Sequence, residues 1–239
     1  MKKTMAVVVM LAASLSLVSA KSSKKYSFTA GAHALAGVGF GTFDADHEKT
    51  IKDDANMSKG IGIDVGGGAW INFPLVQGLC IQPEVNYMYN MAQESYKGTN
   101  PLGVTTDTNT VYSYSSIDVA ALFTYKVQSI NFLLGPTVSF PISDFTYSIK
   151  GSLTGGSLSN AIDETHTKTI DTTATFGFQA GANTNVRFGL GQIVAGARFM
   201  MDFTPIQNYK KNSNGEITSK DDLYKRMGVI AEVGYRFAL

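Results

Sequence analysis

Histidine, serine and carboxylate side chains could form a hydrolytic site, and this chain offers few candidates for one. It contains three histidines: His33, His47 and His166. Ser27 and Thr29 lie close to His33 in the sequence. A serine hydrolase brings a hydroxyl, an imidazole and a carboxylate together, and one common way of presenting the serine, the motif G-x-S-x-G, does not occur here. We therefore expect no catalytic residues and no enzyme activity.

Other segments contain residue types that can bind ligands. Residues 44–48 have the sequence DADHE, but they lack the spaced Asp and Asn residues and the glycine of a calcium-binding loop. We interpret them as a solvated loop. The glycine-rich segments 60–62 and 66–68 do not have the G-x-G-x-x-G spacing of a dinucleotide-binding loop, and no helical pattern follows them. The sequence therefore predicts no metal site and no cofactor.

Most of the informative charged residues lie in segments where apolar and polar residues alternate. In residues 26–42 the even positions from 26 to 40 are aromatic or aliphatic, whereas most odd positions are glycine or polar. The same period of two occurs in seven further segments: 60–73, 79–91, 117–127, 130–142, 176–188, 193–203 and 227–237. Because successive side chains of a strand point to opposite faces, this pattern predicts eight β-strands, each with one apolar and one polar face.

The charged side chains of these predicted strands share the polar face: His33, Asp64, Glu84, Asp118, Arg187, Arg198, Asp202, Glu232 and Arg236. A soluble sandwich would show the same period, but here the apolar face is unusually uniform and the polar face is rich in glycine. Apolar side chains that face lipid, around a closed polar centre, account for both faces. Closure also satisfies every backbone donor and acceptor, as a bilayer requires.

The predicted connections alternate between short and long. Short ones occur near Pro74, Ser129 and 189–191, whereas long polar loops cover 43–59, 92–112, 144–171 and 204–223. Aromatic residues on the apolar face gather toward both strand ends, as they do at the two interfaces of a membrane. Together these features predict an all-β fold, a closed antiparallel eight-stranded up-and-down transmembrane β-barrel, with short turns on one side of the outer membrane.

The first twenty residues have the features of a secretory signal: Lys2 and Lys3, an apolar run over 6–18, and small residues at 18–20. We expect a signal peptide over 1–20, a barrel domain over 21–239 and export to the outer membrane. Without the two lysines the formal charge falls from +1 to −1 (+1 − 2), and no basic stripe predicts nucleic-acid binding. The single cysteine, Cys80, excludes an internal disulfide.

Several stretches resemble a known family. They are GLCIQPEVNY at 78–87, FLLGP at 132–136, residues 178–181 with the short turn near Gly189, and GYRF at 234–237. In order and spacing they are similar to the small outer-membrane β-barrels of the PorT-like group and of the OmpX, OmpW and OmpA transmembrane type. The resemblance implies a monomeric barrel among outer-membrane lipids, inserted by the barrel-assembly machinery through its C-terminal strand. Such chains usually end on Phe, whereas this one ends FAL.

The inward charges predict an ionic network. Counted from the short turns, Glu84, Arg198 and Glu232 lie at similar positions along their strands. We therefore expect an Arg198–Glu232 contact with Glu84 nearby. The network is also expected to include Asp64, Asp118 and Arg236. An eight-stranded barrel is just wide enough for its own side chains, and buried charges need partners. We therefore expect a polar plug; the alternative is a narrow, gated ion path.

Two local features break the regular pattern. Pro83 lies within a predicted strand and predicts either a bulge or a missing ladder bond, and Pro136 could act likewise. Tyr112 and Tyr114 have the wrong parity relative to Ile117, which predicts a bulge near residue 115 or a strand that starts later.

Three functions follow from this architecture. The first is a structural or surface-interaction protein whose long loops contact extracellular ligands or a host surface. The second is a narrow channel for small hydrophobic or ionic solutes, and the third, which we favour least, is a lipid-modifying enzyme.

Overall fold

The computed structural model describes residues 28–42, 54, 56–155, 158–172, 174–211 and 217–238, and the predicted signal peptide lies outside them. It contains thirteen strands: β1 (Thr29–Gly39), β2 (Met57–Lys59), β3 (Gly62–Val76), β4 (Leu79–Thr99), β5 (Thr105–Val127), β6 (Ile130–Pro141), β7 (Phe145–Gly155), β8 (Leu158–Lys168), β9 (Thr175–Phe188), β10 (Gly191–Asp202), β11 (Ile206–Lys211), β12 (Ile217–Tyr224) and β13 (Met227–Ala238). The described part of the chain has no helix, which confirms the all-β prediction. It accordingly offers no helix long and apolar enough to span a bilayer.

Eight long strands form one continuous antiparallel ladder. Its order is β1, β3, β4, β5, β6, β9, β10 and β13, and each member pairs with the next. β13 also pairs with β1, from Thr29 opposite Ala238 to Gly39 opposite Gly228, so the ladder returns to its first strand. These strands occupy the eight segments in which the sequence alternates.

The short connections lie at one end of the ladder. β3–β4, β5–β6 and β9–β10 are each joined by two residues. Each turn has a residue with positive φ: Gly78 at 80°, Gln128 at 54° and Gly189 at 59°. Two-residue hairpins need such a residue because their twist must match that of the strands. The turns are as short as the sequence predicted near 129 and 189–191, and shorter than predicted near Pro74.

Burial alternates along these strands. One face, here called the inner face, is largely buried, and the other, here called the outer face, is largely exposed. In β4, for example, Gln82, Glu84, Asn86 and Met88 on the inner face are at most 1% exposed, whereas Tyr87 on the outer face is 48% exposed. The predicted period of two is thus present in the folded chain.

Pro83 and Pro136 interrupt the ladder without shifting it, whereas the β3–β4 register shifts between Pro74 and Val76. The β3–β4 ladder has no pairs opposite Gln82 and Pro83, yet its register is the same on both sides of that gap. The β5–β6 ladder has no pairs opposite Gly135 and Pro136, again without a shift. Proline lacks the N–H that a ladder bond needs, so bonds are lost at these positions while the register of the pairing is kept. At Pro83 the prediction of a missing bond is confirmed.

The long connections contain more structure than the sequence predicted. β4 and β5 continue as a pair through most of 92–112, up to Thr99 opposite Thr105. Hairpins β7–β8 and β11–β12 fill much of 144–171 and 204–223, and β2 pairs with β4. Three predicted loops, 92–112, 144–171 and 204–223, are therefore largely strands, and the described part of 43–59 contributes the short strand β2. Parts of their sequence are polar at both even and odd positions, as in TTDTNT at 105–110, which removes the alternation by which strands are recognised.

The tyrosines of β5 also correct the prediction. The β4–β5 register is unbroken from Leu79 to Thr99, so neither a bulge near residue 115 nor a late strand start occurs. Tyr112 and Tyr114 share the parity of Asp118 and lie on the inner face. Tyr114 is buried in an aromatic and aliphatic cluster at the long-loop end, here called the mouth cluster: Ala92, Tyr114, Phe145, Ile206, Leu223 and Tyr224.

Candidate functional site

Two ionic clusters lie on the inner face. The one nearer the short turns, here called the lower cluster, is centred on Arg198. Its Nη1 donates to Glu84 Oε2 at 2.6 Å, and its Nη2 and Nε donate to Glu232 Oε1 and Oε2 at 2.6 and 3.1 Å. The guanidinium of β10 thus joins β4 to β13. All three residues are at most 2% exposed. A bidentate pair of this kind is both strong and geometrically specific.

His33 and two amides extend this lower cluster. His33 Nδ1 lies 2.8 Å from Glu232 Oε1, and its Nε2 lies 2.7 Å from Asn86 Oδ1. Gln82 donates to Glu84 Oε1. The carboxylates therefore have partners on several strands, as buried charges require.

Glycine provides the room for these long side chains. A Cβ on Gly181 would lie 2.9 Å from Arg198 Cγ, and one on Gly68 would lie 2.1 Å from Asn86 Oδ1. The glycines on the polar face of the predicted strands thus leave space for the polar side chains of their neighbours.

The second ionic cluster, here called the upper cluster, lies nearer the long-loop end. It is centred on Arg226, between β12 and β13. Its Nη1 donates to Asp118 Oδ2 at 2.7 Å and to Asn90 Oδ1 at 3.1 Å. Its Nη2 donates to Ser139 Oγ at 2.8 Å and to Asp202 Oδ1 at 3.3 Å. Arg226 is 1% exposed, so it too is a buried charge; its two Nη groups bind oxygens from several strands, whereas its Nε has no hydrogen-bond partner among the described residues.

An apolar layer separates the two clusters. It consists of four buried side chains: Leu35, Met88, Met200 and Ile230. On β13, the inner-face residue Ile230 lies between Arg226 and Glu232 along the strand. The mouth cluster lies on the other side of the upper cluster. Its Tyr114 shares the inner face of β5 with Asp118, and its Tyr224 precedes Arg226 by two residues.

Burial raises the pKa of the Tyr224 hydroxyl above its ordinary value. Tyr224 lies in the β11–β12 hairpin, outside the eight-stranded ladder, and it accepts a hydrogen bond from the backbone N–H of Gly41 at 3.0 Å. The mouth cluster is therefore closed by a neutral phenol rather than by a charge.

The residues of the predicted ionic network divide between the lower cluster, the upper cluster and a contact with Trp70. Glu84, Arg198 and Glu232 lie together, whereas Asp64 and Asp118 lie in the electrostatic environment of Arg226. Arg236 joins neither cluster and stacks on Trp70, with its Cζ 4.9 Å from the ring centroid.

Arg226 was missed by the sequence prediction. Its number has the same parity as Ile230 and Glu232, so continuing the alternation by one residue would have placed it on the inner face. The predicted strand started at Met227, the first apolar residue of that segment, and therefore left Arg226 out.

The described residues include no group of three or more His, Cys, Asp or Glu side chains that could hold a metal ion. The DADHE segment at 44–48 lies outside the described ranges.

Beyond the long-loop end, β4, β5, β7 and β8 continue as a sheet whose outer face is polar. There Val111 lies between Gln93 and Ser148, and Ser148 lies opposite Thr165. The inner face of this extension has an aromatic row, here called the tyrosine row: Tyr112, Tyr147 and His166. Its ring centroids are 6.1 and 4.9 Å apart.

Carboxylates lie at both ends of the tyrosine row. The Tyr112 hydroxyl donates to Glu94 Oε2 at 2.9 Å, and His166 Nε2 lies 3.2 Å from Glu164 Oε2. Such a face of rigid aromatic rings among small polar residues has the composition of many recognition surfaces.

No protein-family model matches the chain, and no curated protein matches it. Among solved structures it is similar to neisserial surface protein A (NspA), at 15% identity and a TM-score of 0.36, over 89% of this chain and 97% of that one. It is also similar to Ail, the attachment invasion locus protein of Yersinia pestis, at 13% identity and a TM-score of 0.36, over 88% and 99% of the two chains. The outer membrane protease OmpT from Escherichia coli matches at 6% identity and a TM-score of 0.37, over 92% and 99%. These likenesses assign no activity to this chain.

Replacing Arg198 tests the lower cluster. Arg198→Met leaves Glu84 and Glu232 as buried carboxylates without their cation, so we expect a loss of about 3–5 kcal/mol in the free energy of unfolding. Urea unfolding of the protein in lipid vesicles measures it. The control Lys97→Met removes an exposed cation at the polar end of β4 and should change stability little. Equal effects of the two variants would show that the cluster is not a stabilising element.

Proposed function

We propose that this chain is an integral outer-membrane protein whose eight-stranded ladder is a closed transmembrane β-barrel, and that it acts at the cell surface through its extracellular β-hairpins. In this proposal residues 1–20 are a signal peptide, and the short turns and both ends of the ladder face the periplasm. The barrel is a monomer among outer-membrane lipids, inserted by the assembly machinery through β13.

The observation that carries the proposal is the inverted burial of the ladder. The side chains that are hidden include two arginines and several carboxylates, whereas large apolar side chains remain exposed on the outer face. Examples of the latter are Ile63, Val65, Phe123, Phe132, Leu134, Val186, Val229 and Val233, all at least 41% exposed. In water this arrangement would be unfavourable, but in a bilayer the outer face contacts hydrocarbon while the buried charges are paired with one another.

The aromatic residues support a membrane position. Exposed rings lie near the short turns, as at Tyr125, Phe188 and Phe237, and near the long-loop end, as at Phe176 and Phe203. Between them the outer face is mainly aliphatic. This is the distribution of aromatic girdles at the two interfaces of a transmembrane barrel.

The interior supports a sealed barrel rather than a channel. Arg198 and Arg226 fill the centre of their clusters, and the apolar layer lies between them. An ion that crossed this stack would have to break paired charges and then pass an apolar constriction. We therefore propose a surface-interaction role ahead of a narrow conduit.

The same packing supports a protein without enzyme activity. Both ring nitrogens of His33 are held by hydrogen-bond partners, Glu232 and Asn86, so neither is available to activate a nucleophile.

The membrane position can be tested by two matched substitutions. Val233→Arg places a charge at the middle of the outer face of β13, so we expect a loss of about 2–4 kcal/mol in the free energy of unfolding from lipid vesicles. Val111→Arg makes the same change on the outer face of the extracellular sheet, where water is available, and should cost much less. If the two changes cost the same, the outer face of β13 does not contact lipid.

The surface role can be tested by shortening the β7–β8 hairpin. Replacing residues 146–167 with a short Gly-Ser turn should leave the barrel folded, as shown by its faster migration on a gel before boiling. Binding of the bacteria to host cells or matrix, measured by adhesion counts, should fall several-fold relative to cells with the intact chain. Unchanged adhesion together with measurable conductance in planar bilayers would favour the channel instead.

A further inference from the structure

Two arginines at the short-turn end lie in one row of the inner face. Arg187 lies opposite Gln192, Gln192 opposite Arg236, Arg236 opposite Gly31, and Gly31 opposite Trp70. Neighbouring strands are about 4.8 Å apart, which puts the α-carbons of the two arginines about 10 Å apart, within reach of a shared ligand. Both arginines line a cavity of about 220 Å³ together with Gln192 and Thr29.

Arg236 is oriented by an aromatic contact rather than by an ion pair. A Cβ on Gly31 would lie 2.3 Å from Trp70 Cζ2, so glycine is needed for the indole to lie across this position. The guanidinium of Arg236 stacks on that indole, with Cζ 4.9 Å from the ring centroid. A cation–π contact uses the face of the guanidinium and leaves its N–H groups available.

Arg236, which lines this cavity, and the indole of Trp70 beside it each have a donor without an acceptor in the part of the chain that the structure describes. Within the described ranges, Arg236 Nε and the buried indole Nε1 of Trp70 have no hydrogen-bond partner. Arg198 and Arg226 bind carboxylates, whereas Arg187 and Arg236 have no ion-pair partner among the described residues.

The nearest carboxylate along β13 does not fill this role. Glu232 lies two inner-face positions from Arg236, and both of its oxygens accept hydrogen bonds from Arg198. Its Oε1 is also 2.8 Å from His33. The two arginines at the rim are therefore an excess of positive charge that the barrel itself does not neutralise.

We propose that this cavity is a binding site for a phosphate group. Guanidinium forks match phosphate oxygens, and a half-buried cation is stabilised by an anion. Exposed apolar residues border the same cavity: Leu190 and Phe237. If the chain is the outer-membrane barrel proposed above, on which this inference rests, the cavity lies at the headgroups of the periplasmic leaflet. A phospholipid phosphate then binds the arginines while its acyl chains follow the outer wall.

Trp70 provides the readout, because it is the only tryptophan of the chain. The protein is refolded in an uncharged detergent, and its faster migration before boiling shows that the barrel has formed. It is then titrated separately with dihexanoyl-phosphatidylglycerol, with inorganic phosphate and with dihexanoylglycerol, which lacks the phosphate. We expect a saturable change in Trp70 fluorescence with the phospholipid and none with dihexanoylglycerol.

The variants separate the site from the fold. Arg187→Gln changes an exposed residue and should weaken phospholipid binding. The double variant Arg187→Gln/Arg236→Gln should weaken it further, by about tenfold or more relative to the unchanged protein. Lys97→Gln on the extracellular sheet is the matched control and should bind as the unchanged protein does. Saturation by inorganic phosphate as well would identify a general phosphate site, and saturation by phospholipid alone a headgroup site.

A folded barrel that shows no saturable change, or whose double variant binds with unchanged affinity, would overturn the phosphate site and leave the barrel intact. A protein that does not migrate as a folded barrel would instead contradict the proposed function.

Discussion

Two arginines buried at the centre of a β-structure need carboxylates around them, and this pairing constrains the rest of the fold. Arg198 takes its partners from β4 and β13, and Arg226 takes its own from β5 and β10. Each guanidinium therefore ties together strands that are not neighbours in the ladder. Breaking one pair would leave an uncompensated charge in a medium of low dielectric constant, which costs far more than an apolar contact.

This polar interior explains why the outer face is apolar. Because the charges lie on the inner face, the apolar side chains of the alternating strands lie on the outer face. That face is favourable only in contact with a solvent other than water. The change of the outer face at the long-loop end fits the same picture. Where β5 leaves β6 and pairs with β7, the outward side chains of Ser113 and Ser115 are polar and the inward ones of Tyr112 and Tyr114 are aromatic. The chain thus changes its pattern where we propose that the bilayer ends.

The sequence was most informative where the two faces of a strand differ. The alternation around Glu84, Arg198 and Glu232 placed all three on one face at one height, and their contacts follow from that geometry. Residues 105–110 have the sequence TTDTNT, which is polar on both faces, so they have no period of two although they form part of β5.

Other features depend on three-dimensional contacts that no local pattern contains. Arg226 belongs to the interior only because four strands direct polar atoms at it. The stacking of Arg236 on Trp70 depends on Gly31 of the strand between them. The inward tyrosines of β5 break the polar pattern because they pack with the hairpins, whose positions the sequence does not specify.

The central claim is that the outer face of the ladder contacts hydrocarbon, and spin-label accessibility in lipid vesicles tests it most directly. In a Cys80→Ser background, a nitroxide is attached in turn at Val233 and at Val111, the outward valines of β13 and of the extracellular part of β5. The proposal predicts frequent collisions with oxygen and few with a water-soluble nickel chelate at residue 233, and the reverse at residue 111. A label at residue 233 that meets the nickel chelate as often as the label at 111 would contradict it.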